Sequence, residues 1–237
     1  MLITLLYHRI GTVEGLCLNT FEKHLIYLKE NFAFSTPDKF PLNKTSVLIT
    51  FDDATYDFYA YVFPLLKKYQ IPVTLAVCPG FTLDDLDLPS TKRLNFLEKD
   101  LFTNESKKHF CTYKELKEMQ ESNLVKIACH SFTHKNLEKE SDLDKEIVHS
   151  KRILEEKLKC KIDTFVYPYG KFNQIVCDLV NQIYKYHFRI GSGVNFYRKK
   201  MLYRILCDRV TDISSVFRKS SLLVYGIKSL LNQLRGK

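Results

Sequence analysis

The sequence has no tryptophan, no Cys-x-x-Cys pair, no Gly/Ser-rich or Pro-rich linker, and no apolar run of membrane-spanning length. Each absence excludes something. The seven cysteines (Cys17, Cys78, Cys111, Cys129, Cys160, Cys177 and Cys207) are scattered and odd in number, which fits neither a zinc finger nor a disulfide framework. Reduced thiols in a cytoplasmic protein are the expectation. The apolar start Met1-Leu2-Ile3-Thr4-Leu5-Leu6 lacks a basic leader and is broken at Tyr7-His8-Arg9, too soon for a signal peptide or a transmembrane segment. It reads as a buried first strand. Without a linker, the 237 residues read as a single domain with room for a substantial core. The missing tryptophan is offset by 17 Phe and 14 Tyr, enough aromatic surface for packing or for ring stacking.

The charge is one-sided. A formal net charge of +9 favours polyanions in general: nucleic acid, anionic membrane or an acidic glycan. Over most of the chain this reads as a lysine-rich solvated surface, and no nucleic-acid partner is expected. The exception is the C-terminal stretch. From Val216 to Lys237 there are five basic residues (Arg218, Lys219, Lys228, Arg235, Lys237) and no acid, while Leu223, Ile227, Leu230 or Leu231, and Leu234 recur at helical spacing. Two readings follow: a terminal helix packing this stripe on the domain, or a basic amphipathic helix in peripheral contact with an anionic membrane. Residues 213–237 are therefore set apart from a main domain over 1–212.

Short apolar runs of strand length alternate with helical patterns. Strands are expected at 2–7, 47–51, 71–77, 125–129 and 164–167. A helix capped by Asn19 or Thr20 would bury Phe21, Leu25 and Leu28, and another runs from about Tyr56 to Tyr69. Residues 81–110 read as an irregular excursion at the mouth of a site. Thr112-x-x-Glu115 opens a helix to about Ser122, Ser141-x-x-Asp144 the next, with Ile147, Ile153, Leu154 and Leu158 facing inward, and a last one starts near Asn173. Alternation of this kind argues for an α/β fold with a parallel sheet, open or closed into a barrel. His8, Asp52-Asp53, His130 and Pro168 each follow an expected strand, and in a parallel barrel those positions share one rim.

The chemistry sits in those four clusters. Asp52 and Asp53 would repel in a dry pocket unless a cation relieved them, and adjacent side chains can take different jobs. Taken alone, such a pair also caps turns. His130-Ser131-Phe132-Thr133-His134 places two imidazoles four residues apart, able to face one cation. The spacing is that of zincin proteases, but Ser131 occupies the position of their essential Glu. With Asp53 the pair makes a two-His, one-carboxylate set that leaves coordination positions open. Tyr167-Pro168-Tyr169-Gly170 offers a turn able to present an N–H group, and His8 a group that titrates near neutral pH. Taken alone, these two clusters read first as an aromatic turn and as a structural histidine bonded to backbone. Adjacent carboxylates are hard to place across a glycosidic bond at the ~5 Å or more that glycosidases need, which disfavours a glycosidase.

The ordered set Thr50-Phe51-Asp52-Asp53, His130-Ser131-x-x-His134 and Tyr167-Pro168-Tyr169-Gly170 resembles the polysaccharide deacetylase family, the NodB-like carbohydrate esterases. The start, Leu6-Tyr7-His8-Arg9, resembles the branch with circularly permuted motifs. The resemblance implies a distorted (β/α)7-type barrel with parallel strands. It implies a metal-dependent hydrolase that removes the N-acetyl group from a sugar in a glycan or lipid-linked sugar, releasing acetate. It implies Asp53, His130 and His134 as ligands of a divalent metal, with Zn2+ the expected ion. It further implies Asp52 as general base, the Tyr169 N–H as oxyanion donor and His8 as general acid. Three positions depart from the family pattern: Tyr167 stands where many members have Arg, the usual C-terminal Leu-x-His is absent, and Ala54 replaces a frequent Gly. Arg204 is the candidate to replace the motif arginine, and the missing C-terminal histidine makes His8 essential. An amidase acting on a small non-sugar amide and a catalytically silent glycan-binding barrel are the alternatives.

Overall fold

The computed structural model describes residues 1–39, 44–196 and 199–234, with Gln233 and Leu234 described by backbone alone. Arg235, Lys237 and the side chain of Leu234, all part of the basic C-terminal pattern, lie outside the described residues.

Eight parallel strands make one sheet: β1 (Leu2–Tyr7), β2 (Ala33–Phe34), β3 (Ser46–Phe51), β4 (Val73–Val77), β5 (Val125–Cys129), β6 (Thr164–Val166), β7 (Tyr186–Ile190) and β8 (Met201–Leu206). The order β1-β8-β7-β6-β5-β4-β3 closes on itself because β1 also pairs with β3, in register from Leu2↔Ser46 to Tyr7↔Phe51. The result is a closed seven-stranded barrel, as expected. The short β2 lies outside it, on the start of β3, where β4 has not yet begun to pair. Helices α1 (Leu18–Asn31), α2 (Phe63–Tyr69), α3 (Ser90–Leu94), α4 (Tyr113–Glu121), α5 (Ser150–Leu158), α6 (Gln174–Ile183) and α7 (Lys219–Leu234) fill the connections and the C-terminal end.

Side chains alternate across a strand, so each barrel strand feeds two cores. Leu2, Leu48, Ala76, Ala128, Val166, Phe188 and Leu202, one from each barrel strand, pack together inside. Their neighbours, among them Ile3, Val47, Ile49, Ile127 and Phe165, pack outward with Phe21, Leu25, Leu28, Leu66, Leu116, Leu154 and Val180 from the helices. This register decides what happens at the rim. Counting by two from the inner layer, Leu48 leads through Thr50 to Asp52, Ala128 to His130, Leu202 to Arg204, and Leu2 through Thr4 and Leu6 to His8.

Several boundaries differ from expectation. Helix α1 starts behind Cys17, not Asn19 or Thr20, although Phe21, Leu25 and Leu28 are buried as anticipated. The Ser141-x-x-Asp144 box does not form. The Asp142 carboxylate instead accepts the Lys145 N–H at 3.1 Å, and a π-helical turn (Asp144–His149) leads into α5. The Thr112 box does form, with the Thr112 N–H donating to Glu115 Oε2 at 2.7 Å. Strands β7 and β8 went unanticipated. The 81–110 excursion is less irregular than it reads: Phe81, Phe96, Leu101 and Phe110 pack with Cys78 as a satellite core, pinned by buried Arg93 on Glu115. Helix α7 overturns the reading in which its leucine stripe packs on the barrel. Leu222, Tyr225 and Ser229 face inward, while Leu223, Ile227, Leu230 and Leu231 are exposed. No helix among the described residues is long and apolar enough to cross a membrane.

Candidate active site

Asp53, His130 and His134 present ligand atoms within 4.8 Å of one another at the C-terminal rim of the barrel. His130 Nε2 and His134 Nε2 each lie 3.5 Å from Asp53 Oδ1. The backbone makes this convergence at a conformational cost. Asp53 (φ 73°), Ala54 (55°), Ser131 (60°), His134 (57°) and Tyr169 (56°) all occupy the left-handed region that non-glycine residues avoid. Such strain persists only where surrounding contacts over-determine it, and it gathers at functional sites.

Those contacts are specific. His130 donates from Nδ1 to the Val166 carbonyl at 2.9 Å, which fixes the tautomer and turns Nε2 toward Asp53. The loop carrying His134 is bound by Glu146, a buried carboxylate that accepts the Phe132 and Thr133 N–H groups at 3.0 and 2.9 Å. His134 Nδ1 has no hydrogen-bond partner among the described residues; its ring lies flat on Phe102, with centroids 3.9 Å apart, and Tyr169 packs edge-on at 4.6 Å.

Asp52 is held differently. Arg204, fully buried on β8, grips it with two parallel bonds of 2.6 and 2.8 Å, and also donates to Thr50 Oγ1 at 3.3 Å. Arg204, the sequence's candidate for the missing motif arginine, is thus in direct contact with Asp52. Tyr167 points into the outer layer, bonded to His187 and stacked on Phe172. His8 stands across the pocket, Nε2 4.0 Å from Asp52 Oδ2. Asp208 fixes it, accepting its backbone N–H at 2.9 Å and its Nδ1–H at 2.6 Å. Asp208, Arg9, Glu146 and Phe102 are site residues the sequence reading missed. Asp208 follows β8 as His8 follows β1, so recognising β8 would have exposed it.

The electrostatics follow from these partners. Burial alone would raise both Asp carboxyls, but positive neighbours outweigh it and hold both below the ordinary range: Arg204 and His130 for Asp52, His130 and His134 for Asp53. Burial pushes His134 down to about 4, leaving it neutral and able to donate a lone pair at neutral pH. Burial also works against a charged His8, yet the Asp208 hydrogen bond and the charges of Asp53 and Asp52 raise it to about 9.

The cavity bounded by these groups has a volume of about 340 Å³ and is closed on one side by Glu98, Lys99, Leu101 and Phe102 of the excursion. Arg9 ties that wall to the centre, reaching Asp53 at 3.4 Å and Glu98 at 2.9 Å. A larger cavity of about 720 Å³ lies at the opposite end of β6 and β7, among Lys151, Asp163, Lys185 and Tyr186, away from the Asp-His cluster.

Fold and site together define a parallel (β/α) barrel with a carboxylate–imidazole cluster on its C-terminal rim. The chain belongs to the polysaccharide deacetylase family, whose sequence profile matches residues 39–186. It is 30% identical over 166 residues to the poly-β-1,6-N-acetyl-D-glucosamine N-deacetylase of Staphylococcus aureus, covering 66% of this chain and 50% of that one. The corresponding Escherichia coli enzyme is 24% identical over 184 residues, covering 65% of this chain and 26% of that one. The chain thus spans about half the length of the staphylococcal relative. Among solved structures, IcaB from Ammonifex degensii shares the fold with a TM-score of 0.71 at 21% identity, over 94% of this chain and 96% of that one. A polysaccharide deacetylase from Bacillus cereus does so with a TM-score of 0.74 at 19% identity, over 93% and 68%.

Proposed function

We propose that the protein is a metal-dependent N-deacetylase acting on N-acetylglucosamine units of a polymer or lipid-linked glycan, releasing acetate and a free amino sugar. The observation that carries this reading is the meeting of Asp53, His130 and His134 around one point, with Asp52 beside them but engaged by Arg204. The staphylococcal relative, named for the same reaction, supports it.

The three ligand side chains fit a divalent cation, Zn2+ by donor type. Asp53 Oδ1 is buried without a hydrogen-bond partner among the described residues, and His134 is held neutral with Nε2 turned to that oxygen. A cation bound there supplies Lewis acidity, polarising the acetamide carbonyl and making water more acidic. The protein's own groups do the rest. Asp52 stays ionised and takes the proton of the attacking water, while Arg204 fixes its direction and keeps it from closing on Asp53. The Pro168–Gly170 turn sends the Gly170 N–H back to Tyr167 and the Lys171 N–H to Pro168, and the Tyr169 N–H, at the head of the turn, remains for the oxyanion. His8, protonated and aimed by Asp208, hands its proton to the leaving nitrogen.

Acetate release from β-1,6-linked N-acetylglucosamine oligomers tests the reading. Asp52→Asn is expected to keep its metal and lose about 10²- to 10⁴-fold in kcat. Undiminished turnover in that variant would remove Asp52 from the base role, and no acetate from any N-acetylated glycan would end the deacetylase reading.

A further inference from the structure

Helix α7 carries two apolar faces, and the barrel covers one of them. Leu222 and Tyr225 pack against the core, and Ser229 donates to the Val194 carbonyl at 2.7 Å. The other face carries Leu223 (66% exposed), Val224 (48%), Ile227 (52%), Leu230 (59%) and Leu231 (43%). At about 3.6 residues per turn these five form a stripe whose centre lies on the side opposite Leu222, Tyr225 and Ser229. They are five of the eleven large hydrophobic side chains exposed among the described residues, so the patch is a concentration and not a scatter.

The charges around the stripe are ordered too. Lys219 and Lys228 lie roughly a quarter-turn to either side of it, and both are exposed. Arg218 precedes the helix, and from Ile213 to Leu234 there is no Asp or Glu. An apolar ridge between two lysines matches a lipid interface, where the leucines enter the acyl boundary and the lysine stems reach back to anionic headgroups. A second copy of this helix would fit poorly, because a two-fold contact brings lysines together with no acid on either helix to pair them.

We infer that the outer face of α7 docks in the plane of an anionic lipid surface, holding the barrel against the membrane. The inference stands apart from the deacetylase reading, and its test has a separate readout. In flotation with phosphatidylcholine vesicles containing phosphatidylglycerol, the wild-type chain should rise with the lipid, and raised salt should weaken this by screening. Vesicles of phosphatidylcholine alone should bind it about tenfold less or weaker still. Ile227→Glu with Leu230→Glu, both at exposed positions, should stay with the soluble fraction and retain wild-type circular dichroism and acetate release from soluble oligomers. Wild-type protein that ignores anionic vesicles, or a double variant that floats as well as wild type, would overturn the inference. So would a wild-type dimer that the same two substitutions split, since the face would then belong to a second copy.

Discussion

His8 and Asp208 show how far a single contact shapes this site. The pair joins the ends of β1 and β8, and the 2.6 Å bond gives the imidazole one orientation, with Nε2 toward the pocket. It also sets the charge. Burial would lower the histidine, and the Asp208 bond with the neighbouring carboxylates brings it to about 9. A raised imidazole keeps its proton below that value and loses it above, so a reaction that needs the proton fails as pH rises. Asp208→Asn removes the largest raising contribution while preserving size. The basic limb of the kcat/KM profile should then move to lower pH, by about one unit or more. An unmoved limb would place the titrating acid elsewhere.

Asp52 and Asp53 were legible as a candidate pair because they follow an apolar strand and stand in one ordered set with His130 and His134, although alone an Asp-Asp pair commonly caps a turn. Their proposed division of labour came only through the family resemblance. It depends on Arg204 reaching one and two imidazoles reaching the other, contacts that cross about 150 and 80 residues of chain and leave no local trace. Asp208 was silent for the same reason: its partner is 200 residues away.

Among the elements, the 131–134 loop has the most exacting task, since it carries His134 at positive φ and continues directly from His130, the residue that follows β5. Glu146, in the π-helical turn that leads into α5, holds it by two backbone N–H groups and the Thr133 hydroxyl. Without that carboxylate the loop can relax toward ordinary backbone angles, turning His134 off Phe102. Glu146→Ala should therefore weaken metal affinity about 10- to 100-fold, the range seen when outer supports of metal ligands are lost. Isothermal titration with Zn2+ reads this directly. Glu146→Gln, which keeps an acceptor oxygen for the amides, should recover much of the loss, and equal damage in both variants would argue against the account.

Most of the foreseen strands carry unbroken apolar runs, such as Val47-Leu48-Ile49 in β3 and Leu75-Ala76-Val77 in β4, and only β5 was read through a charge, Lys126. Strands β7 and β8 carry Arg189 and Arg204 inside their runs, and a charge in a short segment more often reads as surface. Arg204 is instead wholly buried, its charge met by Asp52. The rule that charges lie outside fails where a charge is paired. Helix α7 erred in the opposite direction: periodicity located the stripe, but a helix apolar on two faces does not reveal which one the barrel takes.

At the scale of the whole molecule, barrel closure does the positioning. Seven strands run parallel, so every strand ends at the same rim, and the period of two sends His8, Asp52, His130 and Arg204 inward from four of them. The excursion over 81–110 walls one side through Phe102 and Glu98, and Arg9 links that wall to Asp53. The parallel (β/α) class and the rim location could be read from alternation alone. The closed barrel and the proposed division between base and ligands came from family resemblance, and the structure adds the contacts of Arg204 with Asp52 and of His130 and His134 with Asp53.

The claim on which the rest depends is that Asp53, His130 and His134 grip one divalent ion while Asp52 stays off it. Zn2+ titration of the apo-protein, carried out in parallel on wild type, His134→Ala and Asp52→Asn, tests it most directly. The account predicts one tightly held ion per chain in wild type and in Asp52→Asn, and a loss of affinity of at least about 100-fold in His134→Ala. Undiminished binding in His134→Ala, or loss of the ion in Asp52→Asn equal to that in His134→Ala, would contradict it.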